Sequence, residues 1–170
     1  MEHPSTCSSE EVSKRVPLYY HPCFEFTEDL QPIMISKMRL EAHHRGTKVT
    51  VRVCAEPRRD EAVLVEIEDE DGSILWLELF NQPAEDVLPV KEYLPLGKVL
   101  IVKEPFYNCN DNGSKVLRVD HVSDVVYLDG TEEEVPSKWR REKVTGDSAM
   151  IRKEGDDAEM RESWAEAVRL

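Results

Sequence analysis

The sequence predicts a mainly β fold, and three observations carry that prediction. Between Val49 and Leu128, runs of Val, Ile and Leu recur as short apolar stretches, several of them strictly alternating with polar residues, as half-buried strands do. The runs are separated by Asp71-Gly72, Gly97 and Asn112-Gly113, which supply turn conformations. A short helical turn is expected between the third and fourth runs, where Pro89 rules out one long helix. A long first strand, a meander, a helical element and a closing pair make up the order of a five-stranded Greek-key OB barrel, whose closure removes exposed edges. The expectation is therefore an OB-like five-stranded barrel with a short capping helical turn and a C-terminal helical segment. A β-sandwich fragment is the runner-up, and the position of the helical turn favours the barrel.

Residues 1–32 mix Pro4, Pro17, Pro22, serines and charges with no sustained period, and read as a mobile leader with one docked stretch around Leu18, Tyr19, Phe24 and Phe26. The barrel domain is expected over residues 33–130. Ile33, Ile35, Met38 and Leu40 fit neither period cleanly and suggest a short element covering one end of the barrel. In TKVTVRVCAEP, Val49, Val51 and Val53 form the inner face of the first strand, which ends at Pro57. Val63, Val65 and Ile67, then Leu75, Leu77 and Leu79, line the inner face of a hairpin whose acidic tip runs from Glu68 to Gly72 and is expected to be solvated. One helical turn at Ala84 to Leu88 is expected to cap the barrel. LPLGKVLIVKEP is the fourth strand, with Ile101 counted among its inward residues, and KVLRVDHVSDVVYLD is the last, broken at Ser123-Asp124.

Residues 131–147 form a charged linker, acidic in TEEEVP and basic in SKWRREK. In residues 148–170, Met160, Trp164, Ala167 and Val168 share a helical face. Gly155, Trp164 and Ala167 stand where a tetratricopeptide repeat has its small residue, its aromatic and its packed Ala. Such a repeat needs roughly 34 residues and stacked neighbours, so an incomplete repeat is expected here, cut off within its second helix.

PIMISKMRLEAHHRGTKVTVRV, the LFNQP of Leu79 to Pro83, the GKVLIVKEPFY of Gly97 to Tyr107 and the LRVDHVSDVVYL of Leu117 to Leu128 occur in that order. Over residues 31–129 they resemble the N-terminal region of fungal proteins that carry tetratricopeptide repeats followed by a SET domain. The SET domain is a lysine methyltransferase fold using S-adenosylmethionine, and the expectation is that this sequence ends before it. No methyltransferase residue is carried over, and the resemblance implies an accessory N-terminal module and nothing about catalysis; no cofactor is expected.

With 22 Lys and Arg against 35 Asp and Glu, the formal net charge is −13. A field of that sign repels phosphate backbones, so nucleic acid is disfavoured as a partner unless a local basic strip exists. Cys7, Cys23, Cys54 and Cys109 show no CxxC or CxxH spacing, and neither a zinc site nor a disulfide framework is indicated. No apolar run approaches the ~20 residues of a membrane span, and the polar start lacks a signal region, so a soluble intracellular protein, cytoplasmic or nuclear, is expected.

His43-His44-Arg45 looks chemical, but neighbours on a strand point to opposite faces and do not converge on one ion; capping at the barrel entrance is the preferred role. Asp120-His121 with Asp124 and Ser123 lacks a nucleophile elbow and reads as a strand-end turn. Trp76 is out of phase with Leu75, Leu77 and Leu79 and so points outward. It either packs against a terminal segment or, with Phe80, Phe106 and Tyr107, stacks bases. The candidate binding residues are Trp76, Phe80, Arg52, Tyr107 and His44. The expected function is a non-catalytic binding module for other proteins, working through the Trp76 side or the apolar face of the terminal helix. A single-strand nucleic-acid binder and a small-molecule accessory protein or enzyme are the rivals.

Overall fold

The computed structural model describes residues 20–142. The expectations for residues 1–19 and for the repeat-like residues 148–170 lie outside the described residues.

Ten strand segments form one sheet: β1 (Gln31–Pro32), β2 (Ala42–His43), β3 (Thr47–Val53), β4 (Arg58–Arg59), β5 (Val63–Asp69), β6 (Ile74–Leu79), β7 (Val99–Lys103), β8 (Phe106–Cys109), β9 (Lys115–Val119) and β10 (Val125–Leu128). The alternation read from the sequence sets the inner face. Val49, Val51 and Val53 of β3, Val63, Val65 and Ile67 of β5, Leu75, Leu77 and Leu79 of β6, and Leu117 and Val119 of β9 belong to one buried cluster. Burying one such side chain contributes roughly 1.5–3 kcal/mol, so this cluster is the main stabilising element.

The strand order is that of an OB fold. β3, β5 and β6 make an antiparallel meander, with Val51 opposite Asp69 and Val65 opposite Leu77. Gly72, at φ +85°, closes its hairpin in the left-handed region that a side chain rarely adopts. After the crossover, β7 returns antiparallel to the other edge of β3, pairing Val102 with Val49. β8 and β9 form a hairpin, and β9 lies parallel to β6, with Leu117 beside Leu77.

The structure departs from the sequence reading in five places. First, the hydrogen-bonded ladder, in the order β10-β7-β3-β5-β6-β9-β8-β2, does not close. The expected fourth strand corresponds to β7 and ends before Pro105; β8, a strand the sequence reading did not assign, follows after a bend at Glu104, whose φ is 45°. Its carboxylate accepts from Gly46 N–H at 2.9 Å and from Arg45 Nη1 at 2.6 Å. Covalent continuity through Glu104-Pro105 therefore brings the two arms of the ladder round.

Second, Ile101 does not join the main core. Leu100 and Val102 face it, while Val99 and Ile101 pack outward with Leu128 and Val135 in a second small cluster, against which Trp139 lies. Residues 131–140 cover that outer face, so β7 is apolar on both sides and its period gives no phase. Third, residues 84–88 form a turn, and the helix, α1 (Val90–Tyr93), comes after Pro89. It places Val90 and Leu94 against the core. Proline fits the start of a helix, where its missing N–H is not needed.

Fourth, Phe24 and Phe26 are 83% and 71% exposed, whereas Tyr20, Cys23 and Leu30 are buried. That strap is held through its backbone: Cys23 N–H donates to Asp124 Oδ1 at 2.8 Å, and Lys103 Nζ donates to the carbonyls of Cys23 and Glu25. Fifth, the hairpin tip is not wholly solvated. Asp69 is buried, and its carboxylate accepts from Ile35 N–H at 2.8 Å and Ser73 N–H at 2.9 Å. Cys23 and Cys54 are free.

Candidate binding groove

The outer face of β5, β6 and β9 is where sequence-predicted residues meet loops. Residues at alternate positions of β6 and just beyond it, Trp76, Glu78 and Phe80, lie on this side, with Leu64 of β5 opposite Glu78 and Arg118 of β9 beside it. Two loops rise over the face. The β3–β5 connection carries β4, which pairs back onto β5 and sets Arg58 against Leu64. The β8–β9 loop is a tight turn in which Asn110 Oδ1 accepts from the N–H groups of Asn112 and Ser114. Gly113 takes φ +75° within it.

Between the loops lies a groove of about 530 Å³. It is lined by Asp60, Glu61 and Ala62 from one loop, Leu64, Glu78, Phe80 and Arg118 from the sheet, and residues 109–112 from the other loop. Both half-buried aromatic rings carry a guanidinium: Arg58 sits 4.9 Å from the Trp76 ring centroid, and Arg118 4.5 Å from that of Phe80. Arg118 also donates to Asp120 Oδ1 at 2.8 Å. Glu78 is 9% exposed. Burial pushes its carboxyl above the usual range, opposed by the nearby Arg118 and by a hydrogen bond from Asn110.

Of the five candidate residues, Phe80 lines the groove, and Trp76 lies on the same face of the sheet outside its lining. Arg52 lies on the outer side of β3, paired with Glu68 and stacked over Trp139 at 5.1 Å. Tyr107 is opposite Leu117 and packs against the main core, so it does not join the outer aromatic row; burial raises its hydroxyl pKa. His44 holds a turn: Nε2 accepts from Arg39 N–H at 3.0 Å, which leaves Nδ1 to donate to the Pro105 carbonyl at 3.1 Å. Glu78 and Arg118 were missed by the sequence reading, and Arg58 stands outside its candidate binding residues. The phase of Glu78 against Leu77 and Leu79 was available as a signal, but a glutamate at an outward position is ordinarily solvated. Only the loops bury it.

The remaining motif-like residues are tied into the fold. Asp124, its pKa raised by burial, receives the strap amide. His121 Nε2 contacts the Tyr20 carbonyl at 2.7 Å. The rings of His43 and His121 both stand edge-on to Tyr20, at 4.7 and 5.1 Å. Among the described residues, no three His, Cys, Asp or Glu side chains are grouped to hold a metal ion. No described helix is long and apolar enough to cross a membrane.

No protein-family model matches the chain. It is 45% identical over 157 residues to a Gibberella zeae protein named "Methyltransferase", which accounts for 91% of this chain and 22% of that protein. The chain thus spans about a fifth of that relative's length. Among solved structures, it is similar to the Schizosaccharomyces pombe Pot1pC domain bound to single-stranded DNA, with a TM-score of 0.43 and 14% identity over 61% of this chain and 91% of that one. A second fission yeast Pot1 structure with single-stranded DNA gives a TM-score of 0.42 and 14% identity, covering 61% of this chain and 41% of that one. At those scores the OB-like assignment stands on the strand order and register of this chain.

Proposed function

We propose that this chain is a non-catalytic binding module whose working surface is the groove over β5, β6 and β9, and whose partner is a segment of protein. We further propose that it serves as the N-terminal accessory module of a fungal repeat and SET protein. The 45% identity to a much longer fungal protein named "Methyltransferase" supports a place within a longer protein, and the repeat and SET parts rest on the resemblance of residues 31–129. The observation that carries the binding reading is the groove itself. Two loops from different parts of the chain converge on the outward face that carries Glu78 and Phe80, and that convergence creates a concave site in which Leu64 and Phe80 supply apolar surface among acidic and amide side chains. The absence of catalysis is supported by what the chemically suggestive side chains do instead: His44 and Asp124 each bond backbone groups of the fold.

The test is site-specific photocrosslinking with the intact chain. A benzophenone side chain in place of Phe80 is expected to give protein adducts in a fungal extract, and the same group in place of Val87, which is exposed away from the groove, is expected to give none of them. Identical adducts from both positions exclude the groove as the working surface.

A single-stranded nucleic-acid binder is the second reading, favoured by the Arg58–Trp76 and Arg118–Phe80 stacks, since single-strand binders combine aromatic platforms with cations. The acidic rim weighs against it. Titrating labelled oligonucleotides at low and high salt decides: salt-sensitive binding at micromolar protein establishes this reading, and its absence removes it.

A further inference from the structure

We propose that the groove receives the basic side chain of an extended peptide, its guanidinium or ammonium group seated on Glu78; this rests on the protein-segment reading above and names its chemistry. The lining carries four carboxylates, Asp60, Glu61, Glu78 and Asp111, and one cation, Arg118. That cation is already engaged by Asp120 and by the Phe80 ring. Glu78 is therefore a nearly buried carboxylate that accepts a neutral hydrogen bond from Asn110 and whose one neighbouring positive charge, Arg118, is shared with another acid, inside a rim of the same sign. A buried carboxylate is costly without a dedicated counter-charge, and an incoming cation supplies one. The walls suit the rest of a basic side chain, because Leu64 and Phe80 offer apolar surface to its methylene stem while the charged head meets the acid. A phosphate would instead meet the acidic rim in a chain whose net charge is −13.

The measurement is fluorescence anisotropy of the full chain with labelled hexa-arginine, hexa-glutamate and a six-nucleotide single strand, at about 150 mM salt so that general attraction is screened. Hexa-arginine is expected to bind and the other two are not. Glu78→Gln keeps the shape and is expected to weaken hexa-arginine binding about thirtyfold or more, as loss of one partner in a buried charge pair does. Phe80→Ala is expected to weaken it severalfold, and Glu56→Gln, an exposed acid paired with Lys91 outside the groove, less than twofold. Should Glu78→Gln melt early, the double rim variant Asp60→Asn with Asp111→Asn takes its place and is expected to weaken binding severalfold.

Equal effects of Glu78→Gln and Glu56→Gln would mean that hexa-arginine follows the overall charge, and the inference falls. Oligonucleotide binding that Phe80→Ala abolishes, without hexa-arginine binding, leaves the groove standing and overturns its basic ligand. If no ligand responds to Phe80→Ala, both the inference and the groove reading fail.

Discussion

His43 ends β2 with its ring against Tyr20 and with a buried Nε2 that has no hydrogen-bond partner. Burial lowers its pKa, the charge on Arg45 lowers it further, and Glu104 opposes them. A base whose folded pKa lies below its unfolded value contributes stability above the unfolded value and loses it as pH falls through the folded one. Asp124, raised by burial, has the opposite sign: its contribution is present below the ordinary carboxylate range and is lost as pH rises through its folded value. The two windows are separated, because imidazoles and carboxylates titrate in different ranges. Melting temperature is therefore expected to fall between about pH 7 and about pH 5 through His43, and the fall should be shallower in His43→Phe, which keeps the stack on Tyr20. Parallel pH profiles for the two proteins would show that the ring is not held in the apolar site described.

β6 and β7 show what an element's sequence reveals and what it hides. In β6, Leu75, Leu77 and Leu79 alternate with Trp76 and Glu78, so the buried face and the outward aromatic were legible from period alone. In β7, VLIVK is apolar on both faces, and phase was not legible; only the segment bearing Val135 and Trp139 shows that Ile101 faces a second cluster. The bend at Glu104 was hidden as well, because its positive φ is held by Gly46 and Arg45, far away in sequence. Leu77→Ala is expected to cost about 2–5 kcal/mol in denaturant unfolding, the range for truncating a core leucine. The double variant with Ile101→Ala is expected to be additive within about 0.5 kcal/mol, as for sites without shared partners. A coupling energy well above that would merge the two clusters into one core.

At the scale of the whole molecule, the order of strands was readable because the inner faces of β3, β5 and β6 announced themselves, while the groove was not, because it exists only where residues 60–62 and 109–112 meet over one face of the sheet. Sequence-distant convergence of this kind leaves no local signal, which is why Trp76 and Phe80 were found and Glu78 was not. The same view of the molecule bounds the folding unit. The main cluster and the residues packed against it run from Ile33 to Tyr127, and the second cluster reaches Trp139. Arg140 is bonded to the carbonyls of Glu133, Val135 and Pro136, which ties together the described segment that carries Val135 and Trp139. A chain ending at Glu142 therefore retains every member of both clusters. It is expected to keep the β-type circular dichroism of the full protein and to melt within about 4 °C of it, since a larger shift corresponds to more than ~1 kcal/mol in a protein of this size. A drop of many degrees would mean that residues beyond 142 bury against this unit. In that case the second cluster around Val135 would be the margin of a larger core and not its limit.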